Sequence, residues 1–387
     1  MQLPVSEEFF RDPYPVWAGL RDSAPASRVD LPDGSPVWLV TRYSDVRALL
    51  GDPRLSVDKS NGDGSWRGFS LPPALDANLL NMDPPNHTRI RRLVSQAFTP
   101  RRVENLRPLI QRTADDLLDA LPGDGEADLI RGYAGPLPVA VICELLGVPE
   151  TDRADFRSWT DVMLVPPRDD PRAGLRAVAA IHAYLVDLLA RKRAEPADDL
   201  LSALIAAREN GDRLSEDELT SLAFLLLLAG FENTVHAIGT GVLTLLTVPD
   251  RSGMVADIGK TVEELLRYEP PATVLLRRFT TEDVEVDGVV VPRAETVLLV
   301  VGAANRDPAV FTDPGTVLPG RSGGHLTFGH GIHYCVAAPL ARIELEIAIG
   351  TLLRRFPELR LAVPAGELRW RPSFRARGLV DLPVRLT

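Results

Sequence analysis

The longest apolar run in the chain opens at Ser215-Glu216-Asp217-Glu218 and continues without proline to Val248, just ahead of Pro249. Ser-x-x-Glu is a capping box, and the acids of its first turn suit the positive end of a helix dipole. The run predicts a helix of about 34 residues, roughly 50 Å long, enough to cross a whole domain. Its faces are apolar nearly all round, so most of it is expected to be buried. The middle breaks that pattern with Ala229-Gly230-Phe231-Glu232-Asn233-Thr234-Val235-His236. Gly230 costs about 1 kcal/mol of helix stability relative to alanine. A buried Glu232 costs more unless it has partners or a task. Small residues followed by polar ones predict a distorted turn and the close approach of a flat ligand. The plainer alternative is a helix–helix contact with an exposed Glu232.

Elsewhere the pattern is shorter. Residues 340–347 read as helix, and Glu264 and Arg267, three apart, share a helix face, as do His87 and Arg91, four apart. Alternation in Val284-Glu285-Val286-Asp287-Gly288-Val289-Val290-Val291 and in Val37-Trp38-Leu39-Val40 predicts short strands and hairpins. The expectation is a mainly α protein with small β-sheets. No linker, repeat or low-complexity tract divides the 387 residues, so one domain over 1–387 is expected.

Composition changes this little: 45% of residues are apolar and 25% charged, as in ordinary globular proteins. A net charge of −10 argues against a nucleic-acid partner. Arginine is nevertheless concentrated at Arg89, Arg91, Arg92, Arg101, Arg102 and Arg107. That stretch is either a solvated helix face or a positive patch that steers an acidic electron donor. The N-terminal residues lack the basic and apolar regions of a signal peptide. The most apolar segment, 222–230, is too short to span a bilayer. The expected protein is cytoplasmic, without a membrane anchor, and its two cysteines require no disulfide. Cys143, in an apolar helix-like run, reads as a core residue.

The other cysteine carries chemistry. Cys335 follows Gly329 and Gly331, whose backbone freedom allows a tight loop, and precedes the helical run. Free N–H groups and the dipole at a helix start favour a thiolate, so the site suits a soft, redox-active metal. His325, His330 and His333 lie within ten residues of it, which raises zinc as an alternative. Their spacing lacks the paired ligands of structural zinc modules. An unreactive buried cysteine is the remaining alternative.

The segment Phe328-Gly329-His330-Gly331-Ile332-His333-Tyr334-Cys335-Val336-Ala337-Ala338-Pro339-Leu340-Ala341-Arg342 resembles the signature of the haem-thiolate cytochrome P450 family, with Ala337 where the family usually has glycine. The resemblance extends over nearly the whole chain and implies the family fold, with a long central helix over haem. It implies that Cys335 is the axial ligand to the iron of haem b (iron protoporphyrin IX), with O2 as co-substrate. Phe328 and Gly329 would lie beside the sulfur, and His333 would reach a haem propionate. His87-Thr88-Arg89-Ile90-Arg91 resembles the family's propionate clamp, which assigns His87 and Arg91 to it. Arg278 is implied as a further clamp in preference to its neighbour Arg277.

Ala229-Gly230-Phe231-Glu232-Asn233-Thr234 resembles the family's Ala-Gly-x-Glu-Thr-Thr over the distal haem face. Glu232 is then the acid that relays protons, and Asn233 replaces the threonine that holds dioxygen. Thr234 points about 100° away and cannot simply substitute. Glu264-Leu265-Leu266-Arg267 resembles the family's Glu-x-x-Arg ion pair, and Asn305-Arg306-Asp307-Pro308 its Ala-Asn-Arg-Asp-Pro stretch. A pocket roof is expected from loops at 56–80 and 156–171, with Trp66, Met163, Val274 and Leu275 lining the pocket. The expected activity is monooxygenation, a hydroxylation or epoxidation of a sizeable hydrophobic secondary metabolite such as a polyketide or macrolide. Electrons would come from a ferredoxin or flavodoxin-type donor. Asn233 leaves open a non-standard oxidation: coupling, rearrangement or a peroxide-driven reaction.

Overall fold

The computed structural model describes residues 2–67, 73–76, 78–122, 125–164, 170, 172–207 and 212–387. Both halves of the capping box form: Glu218 N donates to Ser215 Oγ at 3.2 Å, and Ser215 N donates to Glu218 Oε2 at 2.8 Å. The central helix runs over Glu216–Thr247 and stops at Val248, which is extended before Pro249. No distorted turn interrupts it. Thr234 Oγ1 donates to Gly230 O at 2.9 Å, and Asn233 Nδ2 reaches Ala229 O at 3.5 Å. These side chains therefore turn back on the helix's own carbonyls rather than opening the ladder.

Helices Pro136–Leu146, Ala173–Ala194, Ile258–Tyr268 and Ala338–Arg355 pack on the central helix. Together they enclose the largest apolar core. By length and composition, Ala173–Ala194 and Glu216–Thr247 could each cross a membrane, which counting only the run at 222–230 overlooked. The central helix is instead wrapped by protein over most of its length, and Ala173–Ala194 packs one face against it.

Among the described residues three sheets flank the helices, the largest having five strands in the order Ala26–Asp30, Pro36–Val40, Thr296–Leu299, Arg278–Thr280, Leu55–Ser56. Pro36–Val40 and Thr296–Leu299 run parallel, with Leu39 opposite Leu298. Val284–Val286 and Val289–Val291 form a hairpin whose turn residues, Asp287 and Gly288, both have positive φ. The expected mainly α architecture with small sheets is what the chain adopts.

The expected roof loop at 156–171 is helix over Arg153–Leu164. Phe156, Thr160 and Met163 recur at helical spacing, and Phe156 is fully buried. Gly68, Phe69, Val165, Pro166 and Pro167 of the two roof segments lie outside the described residues.

The Glu264–Arg267 pair is fully buried and bidentate, both contacts measuring 2.8 Å. Arg267 also donates to the carbonyls of Asn305, Pro314 and Thr316 at 2.9–3.1 Å. Glu264 Oε1 accepts from Leu318 N at 2.8 Å and from Arg321 Nε at 3.0 Å. One ion pair thus fastens a helix to the irregular segment that leads into the cysteine loop. Asn305 continues the link: its Oδ1 accepts from Leu326 N at 2.8 Å, and its Nδ2 donates to Thr327 Oγ1 at 2.9 Å.

Candidate active site

Two glycines shape the cysteine loop. Gly329 and Gly331 have φ of +77° and +73°, a region that disfavours a Cβ. A Cβ on Gly331 would also lie 3.1 Å from Leu50 O and 3.2 Å from Gly51 Cα. Gly331→Ala is therefore expected to destabilise the protein by about 1–2 kcal/mol from the left-handed backbone alone. It should lower Tm more than Gly329→Ala, whose Cβ would come no nearer than 3.7 Å, to His333 O. Equal melting temperatures would remove the steric part of this account. Ala337 is the N-cap of Ala338–Arg355 with φ −91°, so the position asks for no glycine and alanine fits.

Cys335 N donates to Phe328 O at 2.9 Å, which folds the loop back on itself. The amides of Ala337 and Ala338 point at the sulfur, with the charges of Arg91 and Arg342 nearby. Burial pushes the Cys335 thiol up, while these amides and charges favour its thiolate as expected at a helix start. A metal ligated by the sulfur would take the proton off. Arg342 lies over the Phe328 ring at 4.5 Å and is anchored on Glu263 at 2.6 and 3.1 Å.

The histidines do not converge on the sulfur. His325 Nε2 sits 3.3 Å from Glu263, while the His333 ring packs against that of His87, with 4.3 Å between centroids. Among the described residues, no group of three or more His, Cys, Asp or Glu side chains could hold a metal ion. The zinc alternative fails on this geometry.

His87, Arg278 and His333 instead form a cradle of buried nitrogens around the charge of Arg278. His87 Nδ1 and Nε2, His333 Nε2 and Arg278 Nε are enclosed and have no hydrogen-bond partner among the described residues. Burial lowers the pKa of all three groups, that of Arg278 to about 10 and that of His333 to about 3. Arg278, His87 and Arg91 each add to the depression at His333. The facing acid, Asp83, is already engaged by Ser56 Oγ and Val57 N. Arg91 Nη2 donates to Tyr334 O at 2.7 Å, which ties the cradle to the cysteine loop. A buried guanidinium and imidazole nitrogens without partners call for anionic acceptors. A flat macrocycle with one soft metal and two carboxylates matches this donor set, so the residues present fit haem.

The central helix supplies the other wall. It is buried along most of its course, yet Ala229 is exposed and Gly230, Glu232 and Asn233 are half-exposed, so one turn faces an open chamber. Glu232 Oε1 lies 3.5 Å from His236 Nε2 and 3.9 Å from Arg371. Its contact with His236, and then the charges of Arg371 and Arg375, hold its carboxyl below the usual range against the effect of burial. Glu232 is thus ionised at neutral pH. Thr234 is buried with its hydroxyl committed to Gly230 O, so it offers no hydroxyl to the chamber.

The pocket residues divide. Leu275 is half-buried beside the five-stranded sheet, and Met163 is half-buried against the main core. Val274 is fully buried in the N-terminal apolar cluster, and Trp66 packs against that same cluster. Val274 is therefore a packing residue and not pocket wall, because its neighbour Leu275 takes the outward side of the segment. Half of the arginine cluster pairs with acids: Arg89 with Glu218 and Asp212, Arg102 with Asp198, and Arg107 with Glu104. It is not the free positive patch that its charge count suggests.

His236, Arg321, Arg375 and Glu344 escaped the sequence reading. His236 was within reach, four residues after Glu232 on one helix face. The other three carry no local signal. Glu344 is fully buried on Ala338–Arg355, where burial pushes its carboxyl well above the ordinary range.

A half-buried cysteine in a glycine-shaped loop, a cradle of unpartnered nitrogens and an opened turn of a long helix define a haem-thiolate site. The comparisons agree with that class. The Cytochrome P450 family model matches residues 258–362. The chain is 47% identical to cytochrome P450 monooxygenase PikC of Streptomyces venezuelae, over 98% of this chain and 92% of that protein. It is 45% identical to 6-deoxyerythronolide B hydroxylase of Saccharopolyspora erythraea, over 98% of each. The solved structure of the Bacillus subtilis bacillaene polyketide synthase cytochrome P450 PksS superposes with a TM-score of 0.92 at 39% identity, covering 100% of both chains. The chain belongs to the cytochrome P450 family and is a P450 monooxygenase.

Proposed function

We propose that all 387 residues form one catalytic domain, a cytoplasmic haem b enzyme that hydroxylates or epoxidises a sizeable, mostly apolar polyketide or macrolide. The observation that carries the reading is the set of unpartnered buried nitrogens on His87, Arg278 and His333 beside the Cys335 loop. Cys335 would ligate the iron. His87, Arg91, Arg278 and His333 would neutralise the propionates, and Phe328, Gly329, Ala229, Gly230 and Ala337 would bound the ring. Bound there with a thiolate ligand, haem supplies the reductive activation of O2 that puts one oxygen atom into substrate.

The chain's own part is protonic and spatial. Glu232, ionised and half-buried, takes up a proton and hands it toward the chamber, with His236 and Arg371 holding its orientation. Asn233 donates an N–H but relays protons poorly. Electrons would come from a ferredoxin or flavodoxin-type donor docking near the exposed Ile332 and Tyr334 of the cysteine loop. The names of the relatives PksS and 6-deoxyerythronolide B hydroxylase support the substrate class.

Turnover of 6-deoxyerythronolide B and related macrolactones with ferredoxin and its reductase tests the reading. A product heavier by one oxygen atom is expected, and binding with no oxygenated product from any of them would count against it. A second reading, a non-standard oxidation, is favoured by one observation: neither Asn233 nor Thr234 presents a hydroxyl to the chamber. On the monooxygenase reading, Asn233→Thr lowers the peroxide released per electron pair severalfold. Unchanged coupling would assign Asn233 no part in proton delivery.

A further inference from the structure

Beyond the propionate cradle Arg267, Arg277 and Arg377 are deeply buried and Arg375 is half-buried, and they differ in what they bind. Arg267 spends its guanidinium on Glu264 and three carbonyls. Arg377 spends its own on Glu269 and the carbonyls of Phe10 and Arg11. Arg277 is only 2% exposed, yet it makes one hydrogen bond, from Nη1 to Asn81 Oδ1 at 2.9 Å. Its Nε and Nη2 have no partner among the described residues, and neither has the enclosed Nε of Arg375. Leaving such a charge buried and unpaired costs several kcal/mol, so an anion is expected to complete it.

We propose that Arg277 and Arg375 form a carboxylate-binding subsite at the edge of the chamber, and that the natural substrate carries an acidic group which this pair recognises. The inference rests on the monooxygenase reading and narrows its substrate class to acids.

The two arginines flank one segment. The Arg375 carbonyl accepts from Thr273 N at 2.8 Å and from Val274 N at 3.4 Å, which fixes the C-terminal turn against residues 273–277. Leu275 and Leu276 of that segment are half-buried. The two charges also act on each other: after burial, the positive charge of Arg277 is the largest influence lowering the pKa of Arg375, with Glu232 opposing it. A shared carboxylate would relieve both. The protein's own acids are otherwise engaged. Asp76 accepts from Lys59 at 2.7 Å and Asn81 at 2.8 Å, Asp58 from Ser60 N at 2.9 Å, and Glu232 faces His236. Arg277 stands next to Arg278 of the cradle, so a haem propionate is the competing source of the same carboxylate chemistry.

Holoenzyme titrated with dodecanoic acid and with methyl dodecanoate, followed by the ferric spin-state shift, separates these sources. The acid is expected to bind at least about tenfold tighter than the ester, or about 1.4 kcal/mol. Arg375→Leu and Arg277→Leu should each erode that preference and Arg375→Lys should retain it, all with wild-type haem content. Equal affinities in the wild type, no response to the acid, or a preference that survives both leucine substitutions would overturn the proposal. Loss of haem in the leucine variants would also overturn it and assign the pair to the propionates. The wild-type acid–ester comparison stands even if a variant does not fold. Absence of the thiolate band from wild-type protein would mark failure of the monooxygenase reading itself, whereas indifference to the acid with that band intact would sink only this inference.

Discussion

Cys335→Ser leaves a folded protein without the reduced carbon-monoxide band of a thiolate-ligated haem, and turnover falls to background. Oxygen for sulfur is nearly isosteric, and the loop is shaped by Gly329, Gly331 and the Cys335 N to Phe328 O bond, none of which uses the sulfur. The amides of Ala337 and Ala338 would still have an acceptor. A serine hydroxyl is a harder and far less acidic ligand, so the electron donation that favours O–O cleavage disappears. Far-ultraviolet circular dichroism and Tm should match wild type while the absorbance band and product formation are lost. Retention of the band in Cys335→Ser would mean that another group holds the iron.

Arg267→Ala has the larger effect on the fold. It leaves Glu264 buried with reduced compensation and deprives the carbonyls of Asn305, Pro314 and Thr316 of their donor. Breaking a buried pair by removing one partner costs about 3–5 kcal/mol, a large part of the 5–15 kcal/mol that holds an ordinary domain together. Because Arg267 anchors the segment that leads into the cysteine loop, the damage should appear as lost haem as well as lost Tm. Arg321→Ala should be milder, because Arg267 and Leu318 N still hold Glu264. Soluble yield, Tm and haem per chain measure the difference. Equal behaviour of Arg267→Ala and wild type would show the network to be incidental.

Much of this was legible in one dimension because it rests on local rules. A capping box and an apolar run fix the central helix at both ends, and alternation marks the strands around Asp287 and Gly288. The glycines of the cysteine loop announce positive φ, whereas His87, Arg278 and His333 were grouped by the family resemblance alone. What remained hidden depends on partners distant in sequence. Arg321 meets Glu264 across 57 residues, and Arg375 approaches residues 273–277 through the C-terminal turn. The arginine-rich stretch misled because charge counting cannot see that Glu218 and Asp198 fold back to neutralise it. Val274 and Leu275, both expected in the pocket wall, part ways because one strand-like step turns a side chain to the opposite face. At Cys335 burial of the sulfur opposes the N–H groups and cations that favour its thiolate.

The most direct test of a haem-thiolate enzyme built around Cys335 is the absorbance spectrum of purified wild-type protein, reduced and exposed to carbon monoxide. The account predicts a maximum at about 450 nm, the mark of a cysteinate ligand opposite the gas. A maximum displaced to shorter wavelength, or no haem band after reconstitution, would contradict it.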